Sequence, residues 1–148
     1  MVALKAEAQA FVDKFKLNNY ENDNIKIIVT GMGSSNMYDS TCRVVQGLEN
    51  DDIIVNIGIC GADIKFHIGQ LIDAQKNTLT CSDTQVSKQG NYELVDMESA
   101  GFLKATLHVQ NSYIFKVVSD HFEPRKVTKD RAKAVIFNVI DEIMEKLI

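Results

Sequence analysis

No run of this chain stays apolar for the roughly 20 residues that a bilayer span requires, and its first residues lack the apolar core of a secretory signal. A cytoplasmic setting is therefore expected, with no membrane partner. Cysteine is scarce: Cys42, Cys60 and Cys81 form an odd count without a Cys-x-x-Cys pair. All three lie in apolar or strand-like surroundings, so reduced thiols are expected rather than a disulfide framework or a zinc site. Positive charge is not in excess. Lys and Arg number 16 against 20 Asp and Glu, for a net charge of −4, and the basic residues form no dense block. That balance argues against nucleic acid as a partner, because phosphate binding needs a basic surface. Internal repeats, low-complexity tracts and linkers are also missing, so residues 1–148 are expected to form one domain.

The composition is that of an ordinary globular protein, with 45% apolar and 24% charged residues. Residues 3 to 17 have helical spacing, with Leu4, Ala8, Phe11, Val12 and Phe15 on one stripe. The Asn-rich stretch 18 to 24 reads as a turn, and Ile25 to Val29 as a short strand. A second helix is expected from the glycine turn at 31–35 to about Leu48. Ile53 to Ile57 reads as a buried strand, with further extended pieces at Ile64 to Asp73 and Asn77 to Cys81. A polar loop at 82–91 leads to a short strand, Glu93 to Val95. Asp96 can cap a helix running to about His108. Ser112 to Val118 is a strong strand, and the only proline, Pro124, falls in the loop after it. From Thr128 onward, Ala132, Val135, Ile136, Val139, Ile140, Ile143 and Leu147 mark an amphipathic helix. Alternating strands and helices point to an α/β layer fold with a largely parallel sheet.

Open sheets of this kind collect ligands at the carboxyl ends of their strands, and several short strings fall there. Gly31-Met32-Gly33 stands between a strand and a helix. It is either a plain turn or a place where backbone N–H groups approach a ligand, though it is neither a full dinucleotide fingerprint nor a P-loop. In Asn56-Ile57-Gly58-Ile59-Cys60-Gly61-Ala62 a buried strand breaks into two glycines, as a tight turn or as an approach to a sugar or phosphate. In Asp96-Met97-Glu98-Ser99-Ala100-Gly101 the carboxylates serve a helix start, or Glu98 accepts hydrogen bonds from neighbouring sugar hydroxyls. Asp120, in Val118-Ser119-Asp120-His121, is a loop carboxylate bonded to nearby backbone, or a proton donor partly desolvated by a closing pocket. His121 and Glu123 have no spaced partner, so no metal is expected. Glu7, near the start of the first helix, is in itself an ordinary helix glutamate.

Taken in order, Gly-Met-Gly, Asn-Ile-Gly-Ile-Cys-Gly-Ala, Asp-Met-Glu-Ser-Ala and Val-Val-Ser-Asp resemble the purine nucleoside phosphorylase and uridine phosphorylase superfamily. The closest look is to the methylthioadenosine/S-adenosylhomocysteine nucleosidase branch. Ala3-Leu4-Lys5-Ala6-Glu7-Ala8 resembles that branch's opening motif. The resemblance implies a three-layer α/β/α sandwich around a mixed, mainly parallel central sheet, and cleavage of the N-glycosidic bond of a purine nucleoside. It implies Asp120 as the acid that protonates the departing base, Glu98 and Met97 as holders of the ribose, Ser119 as the acid's neighbour, and Glu7 as the residue that activates water. Gly33, Gly58, Ile59 and Cys60 fall where the family lines its substrate site. No cofactor is implied, and self-association is.

The chain departs from the family in three places. Asn56 and Ile59 replace the Arg and Ser of phosphorolytic members, which favours water over phosphate as the nucleophile. The segment between Asp73 and Cys81 is short, and Gln85 falls near a base-stacking aromatic of the family. Little strand precedes Glu7. The alternative is a non-catalytic nucleoside-binding or assembly protein built on the same fold.

Overall fold

Two nine-residue strands form the centre of the sheet in the computed structural model, which describes residues 1–148. Strand β1 (Ile54–Ala62) and strand β5 (Ser112–Asp120) run parallel, paired from Ile54–Ser112 through Cys60–Val118. β1 is rich in Ile, and β5 in Val and aromatic residues, which suit a pleated surface. Both are buried along most of their length, as a strand covered on both sides is, with Asn56 and Lys116 as polar exceptions. A register shift after Cys60 brings Gly61 opposite Asp120.

Shorter strands extend the sheet on either side. β2 (Leu71–Asp73) pairs antiparallel with β5, β4 (Leu94–Asp96) pairs antiparallel with the end of β1, and β3 (Thr80–Cys81) lies parallel to β4. The order is β2-β5-β1-β4-β3. The sheet is thus mixed, with its longest ladder parallel.

Helices cover both faces. α1 (Lys5–Phe15) and α4 (Lys129–Leu147) bury Ala8, Phe11, Ile136, Ile140 and Ile143 against Ile57, Phe115 and Val117. α2 (Ser34–Val45) and α3 (Ser99–Ala105) bury Met37 and Phe102 against Ile54 and Ile114. Successive strand residues point to opposite faces, so Ile114 and Phe115 serve different layers. The result is the expected α/β/α sandwich. Thr128 starts α4 by accepting the Arg131 N–H at 3.1 Å, an N-cap of the usual chemistry.

Several local expectations need correction. Ile25–Val29 is not a strand; its sheet-like contacts are two isolated bridges, one of them parallel between Val29 and Val2. Its first half folds back on itself instead, with Glu21 bridged to Lys26 and the Ile27 N–H donating to Tyr20 O. Residues 1–3 take the place beside β1 ahead of Glu7: Met1 N donates to Val55 O, and Ile57 N to Met1 O. The stretch before β2 is turn rather than extended chain, because Asp63 captures the Lys65 N–H and Gly69 adopts φ 86°. Nor does β1 break at Gly58; it continues to Ala62.

The site depends on how closely α2 and α3 approach. A Cβ placed on Gly101 would stand 2.0 Å from the Ser34 carbonyl oxygen, a backbone atom that cannot swing aside. Gly101→Ala is therefore expected to force the two helix starts apart and to destabilise the chain by roughly 1–3 kcal/mol, the usual scale of overpacking. Urea unfolding checks this; a midpoint equal to the parent's would show that the contact is looser than described.

Candidate functional site

Around the ends of β1, β4 and β5 four carboxylates, Glu7, Asp96, Glu98 and Asp120, line one cavity. Glu7 is the third residue of α1, and its side chain turns back on the helix start. Its Oε2 accepts the N–H groups of Ala3 (3.0 Å) and Leu4 (2.9 Å), and its Oε1 accepts the Ile59 N–H at 3.0 Å. The bond to Leu4, the N-cap residue, is one half of a capping box. The bond to Ile59 ties α1 to the middle of β1.

Glu98 stands just before α3. Its Oε1 accepts the Gly33 N–H at 2.9 Å. Gly33 is at φ 97°, a left-handed conformation that glycine adopts without strain. Asp96 ends β4 and does the capping expected of it, although the helix is shorter than expected. Its Oδ2 accepts the Glu98 and Ser99 N–H groups at 3.2 and 2.9 Å, and its Oδ1 accepts the Ser99 hydroxyl at 2.5 Å. Asp120 ends β5. Its Oδ1 lies 2.6 Å from the Ser119 hydroxyl, and its Oδ2 accepts the Glu123 N–H at 2.7 Å.

Between these groups lies Lys116, in the middle of β5 and 1% exposed. Its Nζ is 2.9 Å from Asp96 Oδ2 and 3.9 Å from Glu98 Oε2. Gly58, its partner across the parallel ladder, leaves room for it. A Cβ there would stand 3.1 Å from Glu7 Oε1 and 3.2 Å from Lys116 Nζ.

Burial and charge pull against each other in this cluster. Burial opposes the charge on Lys116, yet Asp96, Glu98 and Glu7 together hold its pKa above the ordinary lysine value. Burial likewise opposes ionisation of Asp96, but Lys116 and the Ser99 hydroxyl outweigh it and hold Asp96 below the usual range. For Glu7 burial wins, aided by the negative charge of Glu98, and its pKa is raised. The Cys60 thiol is pushed up to about 12 by burial, and so is no nucleophile near neutral pH.

Glu7, Glu98, Asp120, Met97, Ser119, Ile59 and Cys60 line one cavity enclosing about 670 Å³, its solvent mouth included. Leu4 and Met32 contribute to its wall, as does the 84–86 loop, including Gln85. Gly33 and Gly58 are not on the wall; they stand behind it, one bonded to Glu98 and the other making space for Glu7 and Lys116. Lys116 and Phe122 are the participants missed in the sequence. A lysine inside the run Phe115-Lys116-Val117-Val118 was the available signal, since a buried ammonium must be paired. His121 uses its Nδ1 on Ala62 O at 3.1 Å. No group of three or more His, Cys, Asp or Glu side chains able to hold a metal ion is present, and no helix is long and apolar enough to cross a membrane.

No protein-family model matches the chain, and no curated protein matches it. Solved structures do. A variant of the methylthioadenosine/S-adenosylhomocysteine nucleosidase (MTAN) of Chlamydia trachomatis superposes with a TM-score of 0.74 at 17% identity, covering 99% of this chain and 96% of that one. The 5′-methylthioadenosine/S-adenosylhomocysteine nucleosidase of Helicobacter pylori, bound to butyl-thio-DADMe-Immucillin-A, gives 0.73 at 11% identity, over 99% and 94%. Futalosine hydrolase of Helicobacter pylori gives 0.68 at 12% identity, over 95% of each chain. At these identities the likeness is one of fold. The chain has the fold of these nucleosidases, as the resemblance implies.

The charge cluster has measurable consequences. Lys116→Met leaves three buried carboxylates without their counterion, and the expected loss of stability is roughly 3–5 kcal/mol, read by denaturant unfolding. A loss below about 1 kcal/mol would mean that the carboxylates are solvated after all. Glu7 adds a pH signature. Above about pH 4.3, where a free glutamate ionises, and up to the raised value in the folded chain, the folded state holds more protons than the unfolded one. Stability therefore falls as pH rises through that window. Glu7→Gln removes this limb, so the stability of the parent minus that of the variant should decline across it; a flat difference would contradict the assignment.

Proposed function

We propose that this chain cleaves the N-glycosidic bond of a nucleoside, with water as the nucleophile. The observation that carries the reading is the convergence of Glu7, Glu98 and Asp120 on one cavity. Glycosidic cleavage passes through an oxocarbenium-like state, so it calls for an acid at the leaving group and negative charge near the sugar.

Asp120 is the acid for the departing base. Ser119 Oγ and the Glu123 N–H contact its two oxygens and hold the carboxyl in one orientation on the cavity wall. Glu98 holds the sugar. The Gly33 N–H occupies one lone pair of Oε1, and Oε2, 3.9 Å from Lys116, remains open to ribose hydroxyls. As C1 of the sugar becomes cationic, the ionised carboxylates stabilise it. Glu7 takes a proton from the attacking water. Three backbone N–H groups hold it in place, and burial makes it more basic than a free glutamate, which suits a general base.

The cavity wall supports water over phosphate. Its charged members are Glu7, Asp96, Glu98 and Asp120, with no Lys, Arg or His among them. Lys116, which is not on the wall, is committed to Asp96 and Glu98. An anionic co-substrate would meet only like charge there, and the apolar side chain of Ile59 offers it no hydrogen bond.

Three of the solved neighbours carry adenine or an immucillin, which supports a purine nucleoside as the substrate class. The three free cysteines support a cytoplasmic setting. Exposed Leu103 on α3 and exposed Leu107 in the turn after it support self-association.

The test is release of free base from a panel of purine nucleosides, with and without phosphate. Release should occur without phosphate and should not accelerate when it is added. Asp120→Asn is expected to lower kcat by about 10²–10⁴, the worth of a positioned proton donor, and Glu98→Gln to lower it as well. A nucleoside that binds and is never consumed would favour the non-catalytic alternative; no binding and no release would sink both.

A further inference from the structure

Asp120 stands at an irregular point in the sheet. Cys60 of β1 pairs with Val118, and the next pair is Gly61 with Asp120, so Ser119 has no partner and bulges out of the ladder. An extra residue of this kind bends its strand and re-aims the side chains beside it, and such bulges collect next to active sites. The pairing with β1 ends at Asp120. Beyond the bulge, holding the acid in place is therefore left to side chains.

Two of them reach back to β1 from either side of Asp120. Ser119 Oγ lies 3.2 Å from Cys60 O and 2.6 Å from Asp120 Oδ1. A hydroxyl has one proton to donate, and its shorter contact is with the carboxylate, so Ser119 is a weak tie to the strand. His121 Nδ1 lies 3.1 Å from Ala62 O, further along β1. A carbonyl oxygen only accepts, so Nδ1 carries the proton and the contact fixes the tautomer of the ring. The chain just past Ala62 is itself anchored. The Asp63 N–H donates to Glu93 O at 2.7 Å, and the Asp63 carboxylate accepts the Lys65 N–H and the Gln89 amide. His121 thus ties its turn to a carbonyl on a fixed stretch of backbone.

We propose that His121 is a positioning residue: its Nδ1–H ties the turn that carries Asp120 to the end of β1, and so sets the carboxyl against the leaving base. The proposal rests on the glycosidic reading above, with Asp120 as its acid. His121 does not line the cavity, so it acts on the site only through the turn it holds. Ser119 and the Glu123 N–H orient the carboxyl within that turn, and His121 places the turn against the strand. Without the His121 bond the turn stays closed but is free to pivot at the bulge. Catalysis is steeply sensitive to such shifts, since a misplacement of about 1 Å can cost about 10²-fold in rate. Binding of the sugar, assigned to Glu98 at the start of α3, does not pass through this tie.

Release of free base from a purine nucleoside is to be measured for the parent, His121→Phe and His121→Asn, with kcat and KM separated and thermal unfolding recorded for each. Phenylalanine keeps a ring and removes the donor. Asparagine returns an N–H at the same number of bonds from Cβ as Nδ1. The expected result is a kcat lowered about 10-fold or more by phenylalanine, with KM changed by less than about 3-fold, and a kcat brought back to within about 3-fold of the parent by asparagine. Single-turnover release in Asp120→Asn supplies a second arm: with the acid gone, adding His121→Phe is expected to cost less than about 2-fold. An equal loss in both backgrounds, or an equal loss from phenylalanine and asparagine, would mean that the ring acts through the fold rather than through Asp120, and would overturn the proposal. A kcat unchanged in His121→Phe would also overturn it, while leaving the glycosidic reading in place. A parent chain that releases no base would overturn both.

Discussion

The ion pair between Lys116 and Asp96 is the contact on which the rest of the site depends. Its 2.9 Å separation lies in the centre of the molecule, with both side chains almost wholly out of water. An ammonium in that position is tolerable only because carboxylates surround it, and those carboxylates are tolerable only because of the ammonium. Each partner also has a second duty. Asp96 binds the first N–H groups of α3 and so places Glu98. Lys116 stands 3.9 Å from Glu98 and favours ionised Glu7. One charge in the middle of β5 thereby sets the position or the charge of three acidic groups from three separate elements. The contribution of the pair is complete from about pH 4 to pH 10. The depressed Asp96 pKa brings its loss as pH falls below that range, and the raised Lys116 pKa as pH rises above it.

Glycines make this arrangement possible at three points. Gly58 leaves space for Glu7 and Lys116 where any side chain would crowd them, Gly33 turns its N–H toward Glu98, and Gly101 lets α2 and α3 approach closely enough for that bond to form. The cluster is costly as a core. Three carboxylates share one ammonium, and the imbalance is expressed at Glu7, whose pKa burial raises. Stability lost at that carboxylate coincides with the chemistry proposed for it, a common pattern at sites where function and folding compete.

Much of the architecture was legible in the sequence because it is local. The 3.6-residue stripe of α4 and the β-branched run of β5 announce themselves within a few turns or residues. The strings ending in Glu98 and Asp120 were legible for the same reason, since each pairs a strand end with a carboxylate. What could not be read depends on pairing between distant segments. Lys116 finds its space only because the β1–β5 register sets it opposite Gly58. Phe122 reaches the cavity through a turn closed by the Asp120 side chain rather than by any glycine or asparagine. Ile25–Val29 has the composition of a strand, yet it folds back on residues 20 and 21, while residues 1–3, too few to show any periodicity, take the place beside β1.

The central claim is that these acidic groups direct water to the sugar carbon of a glycosidic bond. The most direct measurement is mass spectrometry of the sugar released from a purine nucleoside in water enriched in oxygen-18. The account requires one heavy oxygen in the free sugar and none in the base. A sugar phosphate, an unlabelled sugar, or intact nucleoside recovered after prolonged incubation would contradict it.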